Sequence, residues 1–240
     1  MTTPRHSAAA DAHNIQEASS LGATVSSDQA ARARRCERAD IVVRVAMVQD
    51  APRLHEIYAP YVRDTAVTFE YEPPTLAAFT ERLERTLERH PYLVAERFAP
   101  DGSSRIVGYV YASPFKDRPA YDWAVETSIY VDRDERRGGV GRTMHNALEC
   151  ALREQGILNM EACIATTRTP DEHLTNDSMY FHERMGYRLV GEFSMCGYKY
   201  GRWYDMIWME KHIAPHEAKQ PHPVPFPQVR AVLAERYGIA

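Results

Sequence analysis

At 240 residues, 44% hydrophobic and 26% charged, the chain can bury one good-sized core, which excludes a disordered or fibrous class. A formal net charge of −4 gives no electrostatic case for a nucleic-acid partner, and no window reaches the ~18 consecutive apolar residues of a membrane span. Cys36, Cys150, Cys163 and Cys196 are too dispersed for a zinc site or a disulfide framework, and the N-terminus lacks a secretion signal's apolar core; a reducing cytoplasm is expected.

Residues 1–39 read as a flexible tail, rich in Ala, Ser, Thr, Asp and Gln and poor in large apolar residues. Its Arg32–Arg35 run reads as solvated charge, with an anionic surface as the alternative. The domain proper is expected over 40–213, beginning with a strand at Ile41–Val48. Asp50 is placed to cap a helix bearing Leu54, Ile57, Tyr58 and Tyr61 at helical spacing. A loop, Thr65–Pro74, carries Phe69. Thr75 then opens a second helix with Leu76, Phe79, Leu83 and Leu87 on one stripe, and Pro91 follows its end.

Tyr92–Phe98 and Arg105–Ala112 read as a hairpin turned at Asp101-Gly102. A polar connection, Lys116–Tyr121, leads to a strand over Tyr121–Val131. The next helix runs from about Gly139 to Gln155, with Val140, Met144, Ala147, Leu148, Ala151 and Leu152 on one face and Gly156 as its stop. Asn159–Ala165 is another strand, followed by a polar loop, Thr166–Leu174. Thr175 or Asn176 caps a short helix holding Met179, Phe181 and Met185, closed by Gly186. Tyr187–Phe193 and Asp205–Lys211 are the last two strands. Residues 214–240 form an extension, with a small helix at Val229–Tyr237. The order β-α-α-β-β-β-α-β-α-β-β specifies an α/β fold, a twisted mixed sheet with helices on both faces. The Gly139–Gln155 helix would make a right-handed crossover between two parallel strands.

Two features carry chemistry. Glycines at 138, 139 and 141 let the backbone approach a ligand and aim several N–H groups at one spot, which is also a helix N-terminus. Arg136, Arg137 and Arg142 surround it. On these residues alone a phosphate cradle and a plain strand-to-helix turn with solvated arginines both stand. A Walker loop is excluded because Gly-Lys-Ser/Thr is missing, and the dinucleotide fingerprint by its different glycine spacing. The second feature is Glu126. Alternation sets it with Ala124, Ser128 and Tyr130, opposite Trp123, Val125, Thr127, Ile129 and Val131. In a strand covered on both sides its carboxylate would be partly buried, with a pKa raised toward the range of a general base. A salt-bridged structural carboxylate is the alternative.

Arg136-Arg137-Gly138-Gly139-Val140-Gly141 resembles the Arg/Gln-x-x-Gly-x-Gly/Ala signature of the GNAT acetyltransferases, whose element order is the one predicted here. Arg118–Glu126 and Gly197–Asp205 are similar to segments of the phosphinothricin and methionine-sulfoximine N-acetyltransferase subgroup, as are Val67–Phe69 and Glu72–Pro74. The resemblance spans about Val43–His212. It implies acetyl-CoA as co-substrate and no metal, with the pyrophosphate on the Gly138, Gly139, Val140 and Gly141 amides, aided by Arg136, Arg137 and Arg142. The pantetheine arm would run beside Ile129 and Val131 as an added strand. It further implies Glu126 as the base, a backbone N–H near Ile129 for the oxyanion, and His182 as proton donor to the leaving thiolate.

Phe69, Lys116, Arg118 and Tyr121 are the expected acceptor contacts, with Trp123 either joining that aromatic wall or lying in the core. The family's cofactor-holding asparagine falls at Thr175 by spacing, with Asn176 one residue later; Asn176 is the expected contact and Thr175 the alternative. The loop Thr166–Leu174 is longer than in the subgroup. The activity implied is acetylation of a small amino-acid-like amine, with a peptide amine or a non-catalytic acetyl-CoA module as alternatives. A homodimer is the expected assembly.

Overall fold

The computed structural model describes residues 41–135 and 138–240; the tail with its arginine run and Cys36, and Arg136 and Arg137, lie outside the described residues. The chain order is β1 (Ile41–Val45), α1 (Ala51–Asp64), α2 (Leu76–Leu87), β2 (Tyr92–Phe98), β3 (Ser104–Pro114), β4 (Ala124–Val131), α3 (Val140–Gln155), β5 (Asn159–Thr166), α4 (Asp177–Arg184), β6 (Arg188–Lys199), β7 (Arg202–His212) and α5 (Phe226–Tyr237). One seven-stranded sheet has the order β1-β2-β3-β4-β5-β7-β6. Only β4 and β5 run parallel, and α3 crosses between them.

The sheet divides two apolar layers. On one face Met144, Ala147, Leu148, Ala151 and Leu152 of α3 pack on Val43, Leu93, Val110, Val125 and Met160. On the other, Leu54, Ile57, Tyr58 and Val62 of α1 and Phe79 and Leu83 of α2 pack on Tyr92, Val94 and Tyr109. Strand period two divides each strand's apolar residues between these layers. The segment beyond residue 213 joins the first layer through Phe226, Val229, Leu233, Tyr237 and Ile239.

Several boundaries differ from expectation. β1 stops at Val45, and Val48–Asp50 forms a 3-10 turn because the Asp50 carboxylate accepts the Met47 N–H at 2.7 Å and the Arg44 guanidinium at 2.7 Å. Asp50 therefore stands at the helix start without capping α1 by its side chain. Thr75 does cap α2, its hydroxyl accepting from Ala78 N at 3.2 Å. β6 continues to Lys199 and β7 begins at Arg202, lengthened by their mutual pairing across an irregular register between Phe193 and Gly197. α5 starts at Phe226, three residues early. β4 opens at Ala124 because Pro119–Tyr121 is a 3-10 turn.

Candidate active site

β4 and β5 are paired only at Ala124–Asn159, Val125–Met160 and Glu126–Glu161. Beyond Glu126 the strands part: Thr127–Val131 pairs only with β3, and Ala162–Thr166 only with β7. Two strand edges thus face each other across a fork, and an extended ligand rich in amides can pair with either. The Thr127 hydroxyl donates to the Glu161 carbonyl at 3.1 Å and ties the vertex. Behind it, Thr127 Oγ1 lies 3.3 Å from Tyr187 Oη, which lies 3.0 Å from His145 Nε2.

At the open end of the fork stands the N-terminus of α3. Gly139 is its N-cap with φ 79° and ψ 0°, a left-handed backbone that a side chain would strain. Being glycine, it offers no capping group, so the first-turn N–H groups meet neither an intrahelical acceptor nor a cap from that residue. A Cβ at Gly141 would stand 3.4 Å from the Phe181 ring and 3.8 Å from Ile129 Cδ1, so cradle, α4 and β4 converge there. The Val140 side chain is buried in the core, so only its backbone can meet a ligand there, the contact expected of it. Gly138 and Gly139 are half-buried, Arg142 is exposed on the first turn, and Ile129 and Val131 are partly buried along β4. The Val131 carbonyl accepts from the Tyr61 hydroxyl at 2.6 Å. The placing of Arg136 and Arg137 lies outside the described residues.

The turn leading into this cradle is acidic, and the chain neutralises it with cations from distant elements. Asp132 pairs with Arg53 of α1 and Arg105 of β3; Glu135 pairs with Arg105 and, at 2.9 Å, with Arg97 of β2. Without these partners the carboxylates would repel a diphosphate. Sequence reading missed all three arginines, because no local motif contains them.

Glu126 sits at the vertex. Burial raises its pKa above the ordinary carboxylate value, and the Lys116 ammonium pulls it partly back. Glu161, in register on β5 and on the same face, is buried and also raised, first by burial and then by Glu210. Lys116 is exposed, its Nζ 4.5 Å from the Phe115 ring centre and 5.0 Å from that of Trp208. Tyr121 meets Phe115 edge-on at 5.8 Å, and Arg118 is exposed just before the Pro119–Tyr121 turn. Lys116, Arg118 and Tyr121 are thus clustered on one rim.

Phe69 belongs to a different wall. Its ring packs with Ala66, Ala165, Leu174 and Tyr204, and lies so close over Gly197 that a Cβ there would be 2.3 Å away. The loop bearing it is held by Lys199, a buried ammonium donating to the carbonyls of Val62, Thr65 and Thr68 at 2.8–2.9 Å. Three donors meet three acceptors. Tyr71 Oη donates to the Tyr198 carbonyl at 2.7 Å and completes the docking of the β6–β7 hairpin.

His182 is buried on α4. Its Nδ1 lies 2.8 Å from the Ser178 carbonyl, which can only accept, so the proton of the neutral ring is on Nδ1. Burial holds its pKa below the ordinary imidazole value, although the Ser178 carbonyl opposes this. At neutral pH, Nε2 is therefore a lone-pair acceptor. Donation to a thiolate, the role expected of it, then requires that Nε2 first take up a proton. Asn176 is the N-cap of α4 by position, and its amide holds the loop: Oδ1 accepts from Thr167 N at 3.1 Å and Nδ2 donates to Thr167 O at 3.0 Å, leaving one N–H and one lone pair over. Trp123 lies outside the rim, its indole N–H donating to the Pro221 carbonyl at 2.7 Å.

Residues 43–208 match the model of an acetyltransferase (GNAT) domain. The chain is 32% identical over 189 residues to the phosphinothricin N-acetyltransferase of Streptomyces viridochromogenes, covering 78% of this chain and 97% of that protein. It is 29% identical over 174 residues to an L-methionine sulfoximine/L-methionine sulfone acetyltransferase of Pseudomonas aeruginosa, covering 72% and 95%. A crystal structure of a phosphinothricin acetyltransferase from Sinorhizobium meliloti in complex with AcCoA superposes with a TM-score of 0.67 at 29% identity, covering 78% and 96%.

Proposed function

The chain belongs to the GNAT acetyltransferases, and from that premise we propose that it acetylates the primary amine of a small amino-acid-like acceptor. Phosphinothricin, methionine sulfoximine or methionine sulfone represents the acceptor type, and attack is direct within a ternary complex. The observation that carries this reading is the position of Glu126, a half-buried carboxylate at the vertex of a strand fork whose open end is a glycine-bounded helix N-terminus. The names of the relatives support the small acceptor over a peptide amine, and the raised carboxylate favours turnover over a module that only binds.

When bound, acetyl-CoA supplies an activated acetyl carbonyl and a thiolate leaving group. The N–H groups of Gly138–Gly141 would hold its pyrophosphate, with Arg136, Arg137 and Arg142 supplying positive charge. The Thr127–Val131 edge pairs with the pantetheine amides, and an N–H near Ile129 faces the carbonyl oxygen. Asn176 contributes by holding the Thr167 backbone that lines the opposite edge. Glu126, directly or through water, takes the first proton from the acceptor ammonium. His182, tethered at Nδ1, accepts a proton at Nε2 before it gives one, passing the second amine proton to sulfur. Lys116 and Arg118 face the acceptor's carboxylate or phosphinyl oxygens, while Tyr121 and Phe69 wall the site.

A DTNB thiol-release assay over phosphinothricin, methionine sulfoximine, methionine sulfone and a peptide panel tests the reading. Release with the small acceptors supports it; release with peptides alone, or none despite tight acetyl-CoA binding, overturns it. We also place the enzyme in the cytoplasm, where acetyl-CoA is held. We assign a homodimer joined through β6, an edge strand exposing Leu189, Val190, Phe193 and Met195. A monomer by light scattering at micromolar concentration would refute the dimer.

A further inference from the structure

Residues 214–225 lie beyond the family model, which ends at 208, and run as a strap across the foot of β4. Both ends of the strap are anchored. Ile213 is buried, and its N–H donates to the Leu158 carbonyl at 2.8 Å. At the far end, Phe226 is buried, and α5 and Ile239 continue into the core until the Ala240 carbonyl accepts from Val45 N at 2.8 Å. Gln155 stitches the strap to the turn between α2 and β2, its Nε2 donating to the carbonyls of both Arg89 and Val224 at 2.9 Å.

Between these anchors the strap touches the segment that ends the acceptor rim. The Trp123 indole N–H donates to the Pro221 carbonyl at 2.7 Å, and the His222 ring lies against the indole at 5.0 Å between centres, tilted by 31°. The neighbouring Asp122 is held at 3.0 Å by Arg89, whose carbonyl accepts from Phe226 N. His216 Nε2 bonds Asn159 Oδ1 at 2.8 Å. Elsewhere strap and segment stand apart across a solvent-open pocket of about 320 Å³ lined by Tyr121, Trp123, Ala124, Leu158, His216 and Gln220 among others. The fastening is therefore made at discrete points, and cutting one gives the segment room to shift.

We infer that the strap is a brace for acceptor binding, and that Trp123 is the positioning residue through which Pro221 and His222 fix the Lys116–Tyr121 rim. This rests on the assignment of that rim to the acceptor. Backbone bonds hold only the two ends of the rim, Phe115 N to the Ala124 carbonyl at 3.4 Å and Leu158 N to the Trp123 carbonyl at 2.9 Å, so the span between them takes its registry with Glu126 from side-chain ties such as the Trp123 indole. Trp123 acts on the acceptor without touching the reacting atoms, and it does not act on the cofactor half.

The test compares Trp123→Phe, which keeps a ring but deletes the donor, with His222→Ala and Arg118→Ala in the full chain. Acceptor and acetyl-CoA kinetics are measured with phosphinothricin and methionine sulfone, and amide hydrogen exchange is followed over 116–122 and 140–155. Trp123→Phe should raise acceptor KM about fivefold, the effect of roughly one hydrogen bond, with kcat and acetyl-CoA KM within about twofold. His222→Ala should have a smaller effect in the same direction. Exchange should quicken over 116–122 and stay unchanged over 140–155. Unchanged exchange and acceptor KM in Trp123→Phe overturn the brace, as does a parallel rise in both KM values with a lowered Tm. An unchanged acceptor KM in Arg118→Ala, with that of Trp123→Phe raised, removes Arg118 from the acceptor contacts and leaves the brace standing.

Discussion

The two halves of the proposed site, one assigned to the cofactor and one to the acceptor, are built in opposite ways. The cofactor half is nearly continuous in sequence: β4, the glycine turn and α3 follow one another within Ala124–Gln155. Its N–H groups are aimed by local backbone geometry, above all the left-handed Gly139. The acceptor half is assembled from the α1–α2 loop, the Lys116–Tyr121 rim, the β6–β7 hairpin and the strap, which meet only in the folded chain. Backbone amides need just helix and turn to point correctly, whereas side-chain walls need distant anchors such as Lys199 and Trp123. Changes in the first half should therefore read out on acetyl-CoA, and changes in the second on the acceptor.

Glu126 stands where the halves meet, so its loss should be the largest effect. Glu126→Gln is expected to cut turnover by about 10²–10³-fold, within the range of general-base catalysis, while calorimetry finds acetyl-CoA binding unaltered. Unchanged turnover would remove the carboxylate from the mechanism. His182→Phe removes Nε2 but keeps a ring of similar size against Tyr187 and Phe181. A loss of about tenfold in turnover, ~1.4 kcal/mol on the barrier, is expected in single-turnover assays. An intact rate would make the histidine a packing residue.

Two glycine substitutions set the halves against each other. Gly139→Ala forces a side chain into left-handed backbone at a cost of ~1–2 kcal/mol, and should raise acetyl-CoA KM severalfold while acceptor KM holds. Gly197→Ala drives a Cβ into the Phe69 ring. It should lose about 1–3 kcal/mol in urea unfolding and raise acceptor KM instead. If both substitutions move both constants equally, the division into halves is wrong.

The subtlest expectation concerns pH. Glu126 must be ionised to act, so kcat/KM rises as pH climbs through its pKa, which burial has raised and Lys116 lowers. Lys116→Met removes the lowering charge and should move the acid limb of the profile to higher pH. A limb that stays fixed would mean the limb reports another group.

Much of this was legible in the chain. Helical stripes at Leu54–Tyr58 and Val140–Leu152 and alternation over Val125–Val131 predicted elements that formed, because amphipathic period and layer burial are one constraint seen twice. Asp50 was misjudged because the nearer partners Arg44 and Met47 outcompete the helix for its carboxylate. Asn176 meets the backbone of Thr167, a partner nine residues away that no local pattern announces.

What the sequence alone determined was the glycine turn that starts α3, whose conformation and spacing act within a few residues; its reading as a cofactor cradle came from resemblance. Resemblance and strand alternation likewise placed Glu126 on its strand. Only tertiary structure decided the rest: the fork with Glu126 at its vertex, the tautomer of His182, the arginines that quiet Asp132 and Glu135, and the strap against Trp123. Each depends on groups far apart in the chain, whose meeting is set by sheet order and burial and leaves no periodic trace along it.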